Sequence, residues 1–286
     1  MPYARAADGV RIHYEELGRR GAPVVLMIQG LGADKHGWDM QRYLLALRYR
    51  VIAFDNRGAG RSDKPFSAYS LEVMSDDAIA VLDACAVEQA HVVGASMGGA
   101  LTLLLAVRHP QRVLSLGLVC TAGRHHQWRR ELLDSWAAAA TEQGMGAMSG
   151  KAARWVIGPR SFRRLMPVFG WLGPLGLNRP AHAFVAQVRA ILAHDDSTAE
   201  LFDQITAPAI VIVGNQDILT PRGDSEELAE RLPNAELVVI SGAAHGLMFE
   251  HATTFNHVLC EWLRRQTGAQ RSLARDALAD SAAAAS

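Results

Sequence analysis

The chain has 286 residues, 49% of them hydrophobic and 20% charged, with 29 basic side chains against 29 acidic ones. That length and apolar content suit one large α/β domain, or such a core with a modest inserted lid. A formal net charge of zero argues against nucleic acid or an anionic membrane as partner, and against long-range charge capture of a substrate.

In chain order, residues 10–17 (VRIHYEEL) alternate polar and apolar side chains and read as an edge strand. Residues 23–29 (PVVLMIQ) are a continuous aliphatic run, the pattern of a strand buried on both faces. The same pattern recurs at 51–55, 90–95, 113–120 and 209–214, and 237–241 completes the set. Helical periodicity lies between them, at 71–86, 97–108, 225–232 and 255–265. Strand and helix in alternation predict a mostly parallel central sheet flanked by helices.

The alternation stops between residues 123 and 207, which are helical and then proline-broken without a buried strand; this stretch is expected to be a helical lid. The core is then 1–122 and 208–267. Residues 268–286 lack a large apolar face and are expected to be a disordered tail. No apolar run reaches the roughly 20 residues that span a bilayer. The N-terminal residues lack the basic-then-apolar order of a signal peptide. The expected location is the cytoplasm. Cys85, Cys120 and Cys260 are too scattered for a disulfide framework and read as reduced thiols in apolar runs.

The strongest motif is Gly94-Ala95-Ser96-Met97-Gly98-Gly99, directly after the strand HVVGA and directly before the helix ALTLLLAVRH. G-x-S-x-G in that setting is a nucleophile elbow. The serine sits on a sharp turn whose neighbours almost touch, so side chains at 94 and 98 would collide. The helix behind it aims free N–H groups at the point where an oxyanion forms. A dinucleotide or phosphate loop does not fit, because GASMGG lacks the G-x-G-x-x-G spacing and no Gly-Lys-Ser/Thr occurs.

A serine hydroxyl needs a base, expected late in the chain beyond a strand. His245 in Gly242-Ala243-Ala244-His245-Gly246 fits, and no histidine pair has the spacing of a zinc site. The orienting acid should end a strand and fall between serine and histidine. Asp217, after IVIVG, meets both conditions; Asp224 and Glu226 compete less well because they fall in the first turn of the next helix. The oxyanion hole is expected from the backbone N–H groups of Met97 and Leu31.

Together, GASMGG, DNRGAGRSD at 55–63, GNQDILTP at 214–221 and GAAHG at 242–246 resemble the α/β-hydrolase superfamily over roughly residues 8–266. Within it the chain is similar to the esterase and lactonase branch, including enol-lactonase-like and aclacinomycin methylesterase-like proteins. The resemblance implies Ser96, Asp217 and His245 as nucleophile, acid and base. It also implies that Asp55, Arg57 and Gly58 shape a turn beside the elbow. Such enzymes often carry histidine before the glycine of the oxyanion loop, where this chain has Gln29. Serine at 96 sets it apart from epoxide hydrolases and haloalkane dehalogenases, which carry aspartate there. The absence of Trp after Ser96 argues against proline iminopeptidases.

Phe162, Phe169, Trp171, Leu172 and Leu247 are candidates for the substrate pocket. Trp128, Trp136 and Trp155 serve either that purpose or core packing. Arg129, Arg130, Arg163 and Arg164 read as a solvated lid face, with a substrate carboxylate as the alternative partner. The expected function is hydrolysis of a carboxylic ester of a small to medium, largely apolar substrate through an acyl-serine. Lactonase, acyltransferase and non-catalytic small-molecule receptor remain as alternatives. No metal or organic cofactor is required. The expected partner is a small-molecule ester or lactone, with no nucleic acid and no membrane span, and a homodimer stays open.

Overall fold

The computed structural model describes residues 2–163 and 180–284. Its aliphatic runs form the strands β3 (Val24–Ile28), β4 (Arg50–Phe54), β5 (Ala90–Ala95), β6 (Val113–Val119), β7 (Ala209–Gly214) and β8 (Ala235–Ile240). With β1 (Tyr3–Arg5) and β2 (Arg11–Leu17) they build one eight-stranded sheet of order β1-β2-β4-β3-β5-β6-β7-β8. The pairs from β4 to β8 are parallel, while β1–β2 and β2–β4 are antiparallel.

Successive residues of a strand face opposite sides of the sheet, so each central strand feeds two cores. Leu26, Ile28, Ile52, Phe54 and Val92 join one, beneath α2 (Leu71–Ala84) and α3 (Met97–Arg108). Val25, Met27, Val51, Ala53 and Val93 join the other, beneath α1 (Asp39–Leu45) and α9 (Ala252–Ala284). This double burial is why these strands read as unbroken apolar runs rather than alternating ones.

The structure departs from the sequence reading at three places. Residues 10–17 were expected at the sheet edge, but the three-residue β1 pairs outside β2 and takes that place; so short a strand leaves no periodic signal. Helix α1 carries no expected amphipathic pattern because Met40, Tyr43 and Leu44 face solvent while Gln41 and Arg42 are buried. The expected disordered tail is a correction as well: α9 continues to Ala284. Alanine, leucine, arginine and glutamine carry high helix propensity, which needs no packed face.

Between β6 and β7, the described residues 123–163 and 180–207 include α4 (Gln127–Glu142), α5 (Met145–Val156) and α6 (Ala181–Ala193), with a shorter turn at Ser197–Gln204. Helix α4 packs against both α5 and α6. The loop helices α7 (Arg222–Arg231) and α8 (Leu247–Glu250) follow β7 and β8.

A buried histidine ties the sheet to the last helix. His91 on β5 contacts the Ser115 hydroxyl through Nδ1 at 2.7 Å, and Thr267 of α9 lies 3.4 Å from Nε2. Burial lowers the His91 pKa from 6.5 to about 4. Between those values the unfolded chain binds a proton that the folded chain refuses, so stability is intact above pH 6.5 and falls as the pH drops toward 4. We expect His91→Gln to remove up to about 1.4 kcal/mol per pH unit of that dependence. Urea unfolding midpoints at pH 7, 6 and 5 check this, and equal slopes for the two proteins would refute it.

Candidate functional site

Ser96 ends β5 and begins α3 with φ 53° and ψ −119°, a left-handed conformation that a serine holds only under outside constraint. The constraint is visible on both sides of the residue. Its N–H donates to the Val119 carbonyl at 2.8 Å, and its own carbonyl accepts from Gly99 N–H and from the Thr121 hydroxyl, each at 2.8 Å.

The glycines are explained by distance. A Cβ on Gly94 would stand 2.1 Å from the Gly98 carbonyl oxygen, and one on Gly98 would stand 2.2 Å from the carbonyl oxygen of Ile28. A Cβ on Gly30 would lie 3.1 Å from the Ser96 Cβ and 3.8 Å from its Oγ, so the loop after β3 approaches the serine closely. Gln29 braces that loop with its own amide, Oε1 accepting from Gly30 N–H at 2.8 Å. Asn56 Nδ2 donates to the Gln29 carbonyl at 2.8 Å.

The turn at 55–63 stands beside it. Asp55 accepts from the backbone N–H groups of Lys35 and Arg61, Gly58 has φ +85°, and the Arg57 guanidinium is paired with Asp77 and Asp8. Sequence reasoning misses Gln187 of α6. Its Oε1 accepts from Gly32 N–H and its Nε2 donates to the Arg57 carbonyl, both at 2.8 Å, linking that helix to both loops. No local motif announces a glutamine 155 positions away.

His245 and Asp217 come together from the loops after β8 and β7, with Nδ1 2.8 Å from Asp217 Oδ2. The carboxylate is fully committed. Oδ1 accepts the N–H groups of Leu219 and Thr220 at 2.9 Å each, and Oδ2 also accepts the Thr220 hydroxyl at 2.8 Å. Burial alone would raise the Asp217 pKa, but the charge and hydrogen bond of His245 and the Thr220 donors outweigh it and hold the carboxyl below its usual range. Thr220 also approaches His245 Nδ1 at 3.2 Å. The sequence signal for it is only a hydroxyl three residues past the acid.

Cys120 is the remaining neighbour. It has φ 45° at the end of β6, and burial together with Asp217 pushes its thiol well above the usual value. Ligand atoms of Cys120, Asp217 and His245 lie within 4.8 Å of one another. The donors suit a hydrogen-bonded chain better than a metal, because the Asp217 oxygens are already taken and the thiol resists ionisation.

Ser96 and His245 open onto one cavity of about 420 Å³, with Leu31 and Met97 also in its wall. The rest of the wall comes largely from the helices between β6 and β7: Leu133 and Trp136 of α4, Met145 and Met148 of α5, Phe184 of α6. Several pocket expectations need correction. Leu247 is fully buried in the core beneath the sheet, and its neighbours Met248 and Phe249 line the cavity instead, because the short α8 turns one face each way. Phe162 is half-buried and absent from the wall. Phe169, Trp171 and Leu172 lie outside the described residues. Trp136 lines the cavity, whereas Trp128 and Trp155 stack on each other at 6.1 Å. Arg129 is buried rather than solvated, with Nε donating to the Leu219 carbonyl and Nη2 paired with Asp224. Arg130 is spent on Asp196 and on three carbonyls.

A parallel sheet presents a serine on a strand-to-helix turn, and an aspartate-bound histidine lines the same cavity. Residues 23–252 match the family model described as alpha/beta hydrolase fold. The chain belongs to this family and is an enzyme of the α/β-hydrolase class. It is 31% identical over 261 residues to a Caulobacter vibrioides protein named "Putative carbamate hydrolase RutD", with 88% of this chain and 95% of that one covered. It is similar to the crystal structure of the enol-lactonase from Burkholderia xenovorans, at TM-score 0.85, 28% identity and coverage of 92% and 100%. A thermophilic esterase from Thermogutta terrifontis gives TM-score 0.84, 25% identity and coverage of 93% and 99%. Among the described residues, no helix is long and apolar enough to cross a membrane.

Thr220→Val keeps the shape and removes the hydroxyl donor to Asp217. A hydrogen bond to a charged group is worth about 1.5–3 kcal/mol of stability, so we expect the melting temperature to fall by several degrees and kcat per folded enzyme to fall roughly 10- to 100-fold. Steady-state kinetics beside a thermal melt check the outcome.

Proposed function

We propose that the protein hydrolyses carboxylic esters or lactones with a largely apolar acyl part, through an acyl intermediate on Ser96. The observation that carries this reading is the shared cavity, in which the strained Ser96 and His245 face an apolar wall supplied by α4, α5 and α6. With Nδ1 engaged by Asp217, the imidazole has Nε2 left to take the Ser96 proton. The alkoxide attacks the carbonyl, and the N–H groups of Leu31 and Met97 receive the oxyanion. His245 then returns the proton to the leaving alcohol and later activates water to release the acid.

Residues 123–207 act as a lid over the acyl group, and the enzyme works in the cytoplasm without a metal or organic cofactor. The names of the esterase and enol-lactonase neighbours support the reaction class. The curated relative supports a second reading, cleavage of a carbamate. A small polar carbamate would leave most of the apolar wall unused, which favours an ester with a longer acyl chain.

Ser96→Ala is expected to abolish turnover of p-nitrophenyl esters, by up to about a million-fold, and to abolish fluorophosphonate labelling. Most of the activity surviving in that variant would sink the proposal. A panel of linear esters, enol-lactones, acyl-homoserine lactones and carbamates, assayed with and without acceptor alcohols, separates the ester, lactone, carbamate and transfer readings by kcat/KM.

A further inference from the structure

The acid loop is tied to the helices above it by one buried side chain. Arg129 lies in the first turn of α4 and is 2% exposed. Its Nε donates to the Leu219 carbonyl at 2.8 Å, and Leu219 is a residue whose own N–H donates to Asp217. Its Nη2 pairs with Asp224 in the first turn of α7, just beyond the same loop. Its Nη1 donates to the Arg124 carbonyl at 2.9 Å, and Trp128 packs its ring on the guanidinium at 4.9 Å. The loop 217–220 is therefore gripped at its middle and just past its end by a planar fork that belongs to a different element. Each arm has a fixed direction, so the grip sets an orientation as well as a distance.

We propose that Arg129 is a positioning residue that locks the loop carrying Asp217 to α4, so that the acid is held for His245 only while α4 is seated on the core. The inference rests on the proposed hydrolysis, with Asp217 as the acid. It goes further by making a residue of the helical segment part of the machinery that orients the base. A guanidinium held this way also closes the route to a substrate carboxylate, because every arm of Arg129 has a protein partner. Loss of register of α4 would reach the loop at two points, the Leu219 carbonyl and Asp224.

The test uses the full-length protein and p-nitrophenyl acetate, whose short acyl group does not depend on the apolar wall. Arg129→Met alone leaves the buried Asp224 with only the imidazole of His126, 3.5 Å away, and endangers folding. The double variant Arg129→Met/Asp224→Asn removes both charges together. We expect kcat per fluorophosphonate-titrated site to fall about 10- to 100-fold in the double variant, with KM within about threefold. Arg129→Lys keeps a charge for Asp224 and is expected to recover part of that loss. A merely structural role predicts a lower melting temperature or fewer titratable sites with unchanged kcat per site. That outcome, within twofold of the parent enzyme, overturns the proposal. A parent enzyme with neither turnover nor labelling at Ser96 overturns the hydrolase reading beneath it instead.

Discussion

Backbone pressed against backbone at the end of β5 is the constraint on which the rest of the structure depends. Gly94 lies so close to Gly98, and Gly98 so close to Ile28 of β3, that a methyl group on either would fall about 2 Å from a carbonyl oxygen. That approach lets the chain reverse from strand to helix within one residue, and Ser96 absorbs the turn as a left-handed conformation. The strain is sustained because β3 and β6 flank β5, the last residue of β6 accepts the Ser96 N–H, and Gly99 and Thr121 donate to its carbonyl. A serine on an ordinary loop would relax away from this geometry.

Around that turn, buried polar groups are paired with little left over. The Asp217 carboxylate takes two backbone donors, one hydroxyl and one imidazole. Gln29 and Gln187 hold the loop after β3 from below and above. A buried polar group without a partner is costly, so each of these contacts also fixes a position. The helices between β6 and β7 contribute to this as well as to the apolar wall, through Gln187 of α6 and Arg129 of α4. They are thus bound to the core by specific polar contacts, in addition to apolar packing.

Legibility in the sequence followed how local each cause was. The doubly buried strands declared themselves as apolar runs, and the elbow declared itself through its G-x-S-x-G pattern, although only Gly94 has a local steric reason, the Gly98 carbonyl, while Gly98 is required by the Ile28 carbonyl of β3. The short strand β1 and helix α1 stayed hidden, since one is too brief for a period and the other exposes Met40, Tyr43 and Leu44 while burying Gln41 and Arg42. Arg129 read as a surface cation because nothing in its neighbourhood of the sequence hints at Asp224, 95 positions later. Leu247 read as a pocket residue because a four-residue helix does not reveal which face it buries.

The amino-acid sequence by itself determined the sheet class and the strand-to-helix turn on which Ser96 rides. These depend on hydrophobic period and on a glycine pattern that is visible within a few residues. Only the tertiary structure decided what surrounds them: the Thr220 donor, the glutamine braces, the burial of Arg129, and which side chains line the cavity. Those contacts join residues up to 155 positions apart, and a chain carries no local record of which distant group will satisfy a donor once water has been excluded.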